Sequence, residues 1–237
     1  MLNIKKIKAI TLDLDDTLWP VWPAIERAEL ALSNWMSQHA PLTAALFGDA
    51  SRRSDIRRDI LLKRPELKHN MSALRREAIR VALCRANENP LLAEQAFDVF
   101  FEARNKVELY DDALLALEFL SARYPVVALS NGNADIQKIG IGHYFKASIN
   151  AQEFGAGKPD PRIFEAAARL ANVCAADVLH IGDDADMDVM GALNAGMQAA
   201  WLNREVKPWT YAQSPNIAVN NLTELCDFLR AEQEVAG

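Results

Sequence analysis

The chain has 237 residues, 50% of them hydrophobic, and a formal net charge of −6. This composition argues against a disordered chain, and the acidic balance argues against a nucleic-acid binder. Three widely spaced cysteines form neither a metal-binding spacing nor a disulfide framework, which is typical of a reducing compartment. The cysteine usage therefore predicts a cytoplasmic protein. No apolar run approaches the roughly 20 residues of a membrane span, so we expect no membrane contacts.

The first predicted element is a buried strand, the apolar run from Ile7 to Leu12, which ends in closely spaced carboxylates. Asp13 and Asp15 point the same way from an extended backbone, at the strand end where open α/β sheets bind ligands. Such carboxylates repel each other unless a cation relieves them, and Mg2+ prefers oxygen ligands together with phosphate. The segment therefore indicates phosphate chemistry with Asp13 as nucleophile, although alone it also fits a solvated strand end.

A helical block follows this strand. The segment Trp19-Pro20-Val21-Trp22-Pro23 predicts a stiff, non-helical connector. Residues 24–107 then repeat apolar side chains at helical spacing and contain no strand candidate. Trp19 and Trp22 could stack on a flat ring of a ligand, but packing beside the connector is the simpler interpretation.

Basic residues are concentrated inside this block. Residues 51–85 contain eleven Lys and Arg against four acidic residues. Such a surface could attract an anionic substrate, whereas solvated helix faces with local ion pairs explain the same pattern. Arg75 is the candidate for a substrate contact in this block.

Beyond Tyr110 the pattern alternates between helix and strand, which predicts βαβ units and a parallel sheet. Strands are predicted over Pro125 to Leu129, Ala147 to Asn150, Val178 to Ile181, Gln198 to Leu202 and Ile217 to Val219. Helices are predicted from Asp111, over Pro161 to Asn172, over Asp186 to Asn194 and over Leu222 to Arg230. The fold class is therefore α/β, with an all-α segment inserted after the first strand.

Two later loops carry groups suited to phosphate binding. The Ser130 hydroxyl and the backbone N–H groups of Asn131 and Gly132 can hold phosphate oxygens. Lys158, which follows two nearby glycines, can neutralise the charge of phosphate and of the nucleophile. Taken alone, each segment also fits an ordinary turn or an exposed loop lysine.

A second acidic cluster follows the strand at residues 178–181. Asp183 at the strand end can complete a metal shell, and Asp188 can pair with Lys158 or with a metal-bound water. Asp184 and Asp186 also suit the N-terminus of a helix through its dipole. His180 is predicted to be a packed, hydrogen-bonded side chain and not a base.

The chain resembles the haloacid dehalogenase superfamily of phosphohydrolases in the order of four motifs. These are D-x-D-x-T, an apolar strand ending in Ser, G-K-P and G-D-x-x-x-x-D. The resemblance implies a three-layer αβα, Rossmann-like catalytic core over residues 1–17 and 108–237. It implies that residues 18–107 form the helical type 1 cap. Segments 130–134, 140–145 and 179–199 are similar to bacterial riboflavin-pathway and FMN phosphatases.

The resemblance also implies catalytic roles. Asp13 would attack phosphorus in line. Asp15 would protonate the leaving alkoxide and then deprotonate the water that hydrolyses the aspartyl-phosphate. Lys158 would bind the transferring phosphoryl group, whose transition state is stabilised mostly by positioning and electrostatics.

Metal and substrate ligands follow from the same resemblance. Mg2+ would be held by Asp13, the Asp15 backbone carbonyl and Asp183. Asp188 also belongs to the predicted metal site, where it would steady Lys158 and the metal waters. The substrate ligands would be Ser130, Asn131, Gly132 and, in the cap, Arg75, while Thr17 would orient the first loop.

The expected activity is Mg2+-dependent hydrolysis of a small phosphorylated metabolite, for example 5-amino-6-(5-phospho-D-ribitylamino)uracil or FMN, by a monomer or weak dimer. Asp15 favours a phosphatase over a dehalogenase, because a halide leaving group needs no proton. A sugar-phosphate mutase and a non-catalytic module that binds a phosphorylated ligand are the alternatives.

Overall fold

The computed structural model describes residues 1–235, and the side chains of residues 1–231. The chain divides into two compact units. One, the α/β unit, comprises Met1–Pro20, Glu108–Gly132 and the chain from Ile136 onward. The other, the helical unit, comprises Val21–Val107 and Asn133–Asp135. The assignment of residues 18–107 to a cap domain stays a prediction.

The α/β unit is built on a parallel sheet of six strands in the order β3-β2-β1-β4-β5-β6. The strands are β1 (Ala9–Leu12), β2 (Val126–Ser130), β3 (Ala147–Asn150), β4 (Val178–Gly182), β5 (Gln198–Leu202) and β6 (Ile217–Val219). Leu12 of β1 pairs with Ala128 of β2 and with Ile181 of β4. The carboxyl ends of these three central strands are therefore level, and the residues that follow them meet at one edge of the sheet.

The helical unit contains no strand within residues 21–107, as the sequence predicts. Its helices are α1 (Val21–His39), α2 (Pro41–Phe47), α3 (Ala50–Lys63), α4 (Met71–Arg85) and α5 (Leu92–Arg104), with a 3-10 turn at Pro65–His69. Asp49 and Asn70 begin α3 and α4 by accepting hydrogen bonds from backbone N–H groups of the first turn. A shared core that includes Leu32, Ile79 and Phe97 holds the helices together.

The connector after the first strand is shorter than the sequence predicts. Helix α1 begins at Val21, so the prediction of a non-helical segment is wrong for residues 21–23. Pro23 is tolerated there because backbone N–H groups in the first turn of a helix have no partner within the helix. Trp19 is fully buried, whereas Trp22 is 71% exposed, so only Trp19 packs as expected.

Helices cover the sheet of the α/β unit. They are α6 (Ala113–Ser121), α7 (Ile136–Ile139), α8 (Ala151–Phe154), α9 (Pro161–Ala171), α10 (Gly191–Asn194) and α11 (Leu222–Val235), with 3-10 turns at Ile4–Lys6, Gly142–Tyr144 and Ala175–Asp177. Ala9, Val127 and Val178 share a buried cluster with α9. The alternate residues Ile10 and Leu12 are buried as well, so both faces of the sheet are covered. The predicted α/β class is confirmed.

Within residues 1–235, no helix is both long enough and apolar enough to cross a membrane.

Candidate active site

A buried lysine joins two of the predicted site carboxylates. Lys158 Nζ lies 2.5 Å from Asp13 Oδ1 and 2.5 Å from Asp188 Oδ1, and all three side chains are buried. Burial alone would lower the pKa of Lys158, but the charges of Asp13 and Asp188 outweigh it and raise that pKa. Burial raises the pKa of Asp13, against the effect of Lys158, whereas Lys158 and His180 hold the pKa of Asp188 low despite its burial. Lys158 therefore stays an ammonium ion at neutral pH, with Asp188 ionised beside it.

Asp183 adds a third carboxylate to this edge of the sheet. Oxygens of Asp13, Asp183 and Asp188 lie within 4.8 Å of one another. Burial, followed by the negative charges of Asp188 and Asp16, raises the pKa of Asp183 to about 7. Three converging carboxylates with only one ammonium among them suit a hard divalent cation such as Mg2+. The predicted metal ligands Asp13, Asp183 and Asp188 are thus brought together.

The Asp15 side chain lies outside this group of three carboxylates. Its Oδ1 accepts a hydrogen bond from Trp19 Nε1 at 2.8 Å, and Asp15 is partly exposed. A Cβ on Gly132 would lie 2.6 Å from Asp15 Oδ2, so any larger residue at position 132 would displace this carboxyl. The Thr17 hydroxyl donates to Asp183 Oδ1 at 3.3 Å, which ties the first acidic loop to the second.

The loop after β2 braces the lysine. Ser130 is buried and its hydroxyl accepts the Gly132 N–H at 2.9 Å. Asn131 Oδ1 accepts the Lys158 N–H at 2.7 Å, and Asn131 Nδ2 donates to the Lys158 carbonyl at 2.9 Å. A Cβ on Gly157 would lie 2.6 Å from Asn131 Oδ1. From the sequence we expected the Asn131 backbone N–H to bind phosphate, but we did not expect the Asn131 side chain to hold Lys158. The glycine at position 157, which leaves room for the Asn131 amide, was the available sequence signal.

His180 is packed and hydrogen-bonded, as predicted. Its Nε2 lies 3.1 Å from Asp188 Oδ1 and its Nδ1 lies 2.9 Å from the Thr11 hydroxyl. Burial lowers the pKa of His180, so the ring is neutral and does not cancel the Asp188 charge. Thr11, in the middle of β1, was not anticipated as part of the site, because a single hydroxyl in an apolar strand carries no sequence signal.

The prediction of one regular helix over Asp186 to Asn194 is wrong. The segment Ala185–Met190 is π-helical, and α10 covers only Gly191–Asn194. Asp184 fixes the start, because its side chain accepts the N–H groups of Asp186 and Met187. The wide turn brings Asp188 back to the strand end, where its Oδ2 accepts the Asp184 N–H at 3.0 Å.

Arg75 belongs to the helical unit. Its guanidinium pairs with Glu29 at 2.7 Å and lies 3.7 Å from the centroid of the Phe100 ring. Most other basic residues of the 51–85 segment pair with nearby carboxylates, as the simpler interpretation predicts. Examples are Arg58 with Asp55, Arg64 with Glu66, Arg80 with Glu77 and Arg85 with Asp59. A contact between Arg75 and substrate stays a prediction.

Comparison with known proteins agrees with this site. The family model of haloacid dehalogenase-like hydrolases matches residues 7–196. The 5-amino-6-(5-phospho-D-ribitylamino)uracil phosphatase of Escherichia coli (strain K12) is 29% identical over 232 residues, which cover 94% of this chain and 97% of that protein. A phosphoserine phosphatase of Thermus thermophilus is 33% identical over 157 residues, or 64% of this chain and 63% of that protein. The crystal structure of a 2-haloacid dehalogenase from Pseudomonas syringae pv. Tomato DC3000 has a TM-score of 0.91 and 36% identity, covering 96% of this chain and 99% of that one.

These matches extend over more than the acidic motifs. The family model covers most of the chain, and relatives named as phosphatases match both its α/β and its helical parts. The predicted superfamily and the prediction of a hydrolase are therefore confirmed.

Proposed function

We propose that this chain, which belongs to the haloacid dehalogenase-like hydrolases, hydrolyses a phosphate monoester through an aspartyl-phosphate on Asp13. The observation that carries the proposal is the contact of Lys158 Nζ with both Asp13 and Asp188, at 2.5 Å each. A buried ammonium beside a buried carboxylate nucleophile offsets the repulsion that an approaching phosphate dianion would otherwise meet.

The reaction proceeds in two steps. An Asp13 carboxylate oxygen attacks phosphorus, the bond from phosphorus to the ester oxygen breaks, and Asp15 gives its proton to the leaving alkoxide. Asp15 then takes a proton from water, whose oxygen attacks phosphorus, so that phosphate leaves and the Asp13 carboxylate is restored. The hydrogen bond from Trp19 Nε1 to Oδ1 fixes the orientation of the Asp15 carboxyl group. Lys158 and the Ser130 hydroxyl hold the equatorial phosphoryl oxygens.

Mg2+ would be held by the carboxylates of Asp13, Asp183 and Asp188 together with the Asp15 carbonyl. When bound, it supplies positive charge that neutralises the phosphoryl oxygens and the nucleophile. The side chains around it keep their own tasks: Thr17 orients Asp183, and His180 holds Asp188.

The substrate is a small phosphorylated metabolite. The Escherichia coli relative, which aligns over almost the whole chain, supports 5-amino-6-(5-phospho-D-ribitylamino)uracil, and FMN belongs in the same test. A cytoplasmic location, a monomeric or weakly dimeric state and the lack of nucleic-acid contacts stay predictions.

Hydrolytic dehalogenation is the second candidate, because the Pseudomonas syringae protein named as a 2-haloacid dehalogenase is 36% identical over nearly the whole chain. The presence of Asp15 favours the phosphatase. An alkoxide leaving group needs a proton from an acid at this position, whereas chloride does not.

The test is release of phosphate or chloride by the purified protein with Mg2+. Substrates are FMN, the ribitylaminouracil phosphate, sugar phosphates and 2-chloropropionate, with EDTA as a control. We expect phosphate release that falls at least about a thousandfold in Asp13→Asn, which cannot form the intermediate. Asp186→Asn, a matched change of an exposed carboxylate in the second acidic cluster, should keep its activity.

Three outcomes would contradict the proposal. Chloride release without phosphate release would establish a dehalogenase. Isomerisation of a sugar phosphate without net release would establish a mutase. A folded protein inactive on every substrate would favour the non-catalytic alternative.

A further inference from the structure

The helical unit contains a cavity of its own. It has a volume of about 370 Å³, within the range of small-molecule sites. Phe47 and Phe100 are among its apolar walls, and the exposed Trp22 also lines it. The two chemical steps proposed above use none of the residues that line this cavity, although Arg75, the predicted substrate contact, is one of them.

The cavity carries an excess of positive charge. Three arginines line it, Arg53, Arg57 and Arg75, against the single carboxylate of Glu29. Glu29 is engaged with Arg75, at 2.7 Å. Burial lowers the pKa of Arg75, Glu29 opposes this, and the charges of Arg57 and Arg53 lower it further. The remaining two arginines are therefore uncompensated inside the cavity.

These two arginines differ from their neighbours on the same helix. Arg52 and Arg58 pair with Asp49 and Asp55, as solvated helix charges commonly do. Arg53 Nη1 donates instead to a backbone carbonyl, that of Phe47, at 2.5 Å. Among residues 1–231, neither Arg53 nor Arg57 has a carboxylate within ion-pair distance. A planar guanidinium group binds carboxylates and phosphates through paired, charge-assisted hydrogen bonds, and it also stacks on aromatic rings.

We propose that this cavity binds an organic anion, with the anionic group on Arg53 and Arg57 and an apolar or aromatic body against Phe47 and Phe100. The anion has two possible sources. It is either a second charged group on the substrate of the proposed reaction or a separate small-molecule effector. The binding itself does not depend on the proposed reaction.

The first test is calorimetric binding of 2-naphthoate and phenylphosphonate to the full chain, with 2-naphthalenemethanol as the uncharged analogue. We expect Arg57→Gln to weaken binding of the two anions about tenfold, the size of one charge-assisted hydrogen bond. Arg58→Gln makes the same charge change on the same helix, outside the cavity, and should bind as the wild type does. Both positions are exposed, so both variants should fold.

Kinetics separate the two sources. If the anion belongs to the substrate, Arg57→Gln raises KM for a phosphate ester that carries a carboxylate, such as 3-phosphoglycerate. KM for p-nitrophenyl phosphate then stays unchanged. If the anion is an effector, both KM values stay unchanged while 2-naphthoate binding weakens.

Failure of both anions to bind, equal weakening in Arg57→Gln and Arg58→Gln, or equal affinity for the uncharged analogue would each overturn the proposal. Because calorimetry requires no turnover, an error in the assigned reaction would leave this result standing.

Discussion

Other residues hold both the side chain and the backbone of Lys158. Its ammonium contacts Asp13 and Asp188, and its backbone N–H and carbonyl are both bonded by the side chain of Asn131. A lysine has a long flexible side chain, and fixing its backbone removes part of the freedom that its ammonium would otherwise have. Charge stabilisation in catalysis depends on groups already in place before the reaction. Asn131 therefore acts on the proposed phosphoryl site through Lys158.

Replacement of Asn131 by alanine tests this role. Loss of the two hydrogen bonds to Lys158 should lower kcat/KM for phosphate esters about tenfold or more. It should reduce the free energy of unfolding by about 1–2 kcal/mol. The measurements are steady-state kinetics and urea denaturation.

The control is Asn150→Ala, which removes an asparagine that caps α8 by accepting the Glu153 N–H at 2.9 Å. It should cost about 1 kcal/mol of stability and leave kcat/KM unchanged. If both variants lost activity in proportion to stability, Asn131 would be only a structural residue.

At the scale of secondary-structure elements, the sequence predicts the strands better than the segment that shapes the second acidic cluster. Residues 147–150, 198–202 and 217–219 form strands where expected, because apolar runs bounded by polar residues depend on local pattern. The ordered motifs likewise placed Asp13, Lys158 and Asp188 in one site. The π-helical turn after β4 was missed, since it depends on the contacts that Asp188 makes in the folded chain.

Other parts of the site were hidden for a similar reason. The roles of the Asn131 amide and of the Thr11 hydroxyl follow from partners more than twenty residues away in the chain. The local sequence does not distinguish Trp19 from Trp22. Trp19 is nevertheless buried and bonded to Asp15, whereas Trp22 is exposed. Composition and periodicity carry no information about such pairings.

Gly182, the last residue of β4, has no space for a larger side chain. A Cβ on Gly182 would overlap the Asp188 carboxyl, which is buried and bonded to Lys158 and His180. Gly182→Ala should therefore reduce the free energy of unfolding by about 1–3 kcal/mol, as overpacking does, and lower phosphate release more than stability alone explains. Thermal denaturation and kinetics measure the two effects.

Gly48→Ala is the matched control. Gly48 follows α2 in a right-handed helical conformation, where alanine is allowed, and a Cβ would lie 3.2 Å from the Ala44 carbonyl. Its effect on stability should be small and its activity unchanged. Wild-type activity in Gly182→Ala would contradict the requirement for a fixed Asp188.

For the whole molecule, the distribution of charge matters more than the net value of −6. Many basic side chains of the helical unit are neutralised by neighbouring carboxylates. In the α/β unit, Asp13, Asp183 and Asp188 converge, and among the side chains of residues 1–231 only the ammonium of Lys158 compensates them. The folded α/β unit thus holds carboxylates whose mutual repulsion an unfolded chain would not have. A cation bound between them should therefore stabilise the native state.

Thermal unfolding with and without Mg2+ measures this coupling independently of turnover. At a Mg2+ concentration one hundred times Kd, binding to the native state adds about 2.7 kcal/mol, which corresponds to a rise in Tm of about 5 °C or more. Asp183→Asn should lose most of that rise because a ligand is missing. Its metal-free Tm should exceed that of the wild type, since burial already raises the pKa of Asp183 to about 7 and the neutral amide avoids that cost.

Two comparisons separate the acidic site from other effects of the salt. Asp186→Asn, whose side chain is exposed in the same cluster, should keep the full Mg2+ response. NaCl at equal ionic strength should raise Tm far less, because screening weakens interactions between exposed charges more than those between buried ones. An equal rise in Tm for wild type and Asp183→Asn would place the stabilising ion elsewhere. A higher metal-free Tm together with a lost Mg2+ response would show that one group of carboxylates both weakens the unliganded fold and binds the ion.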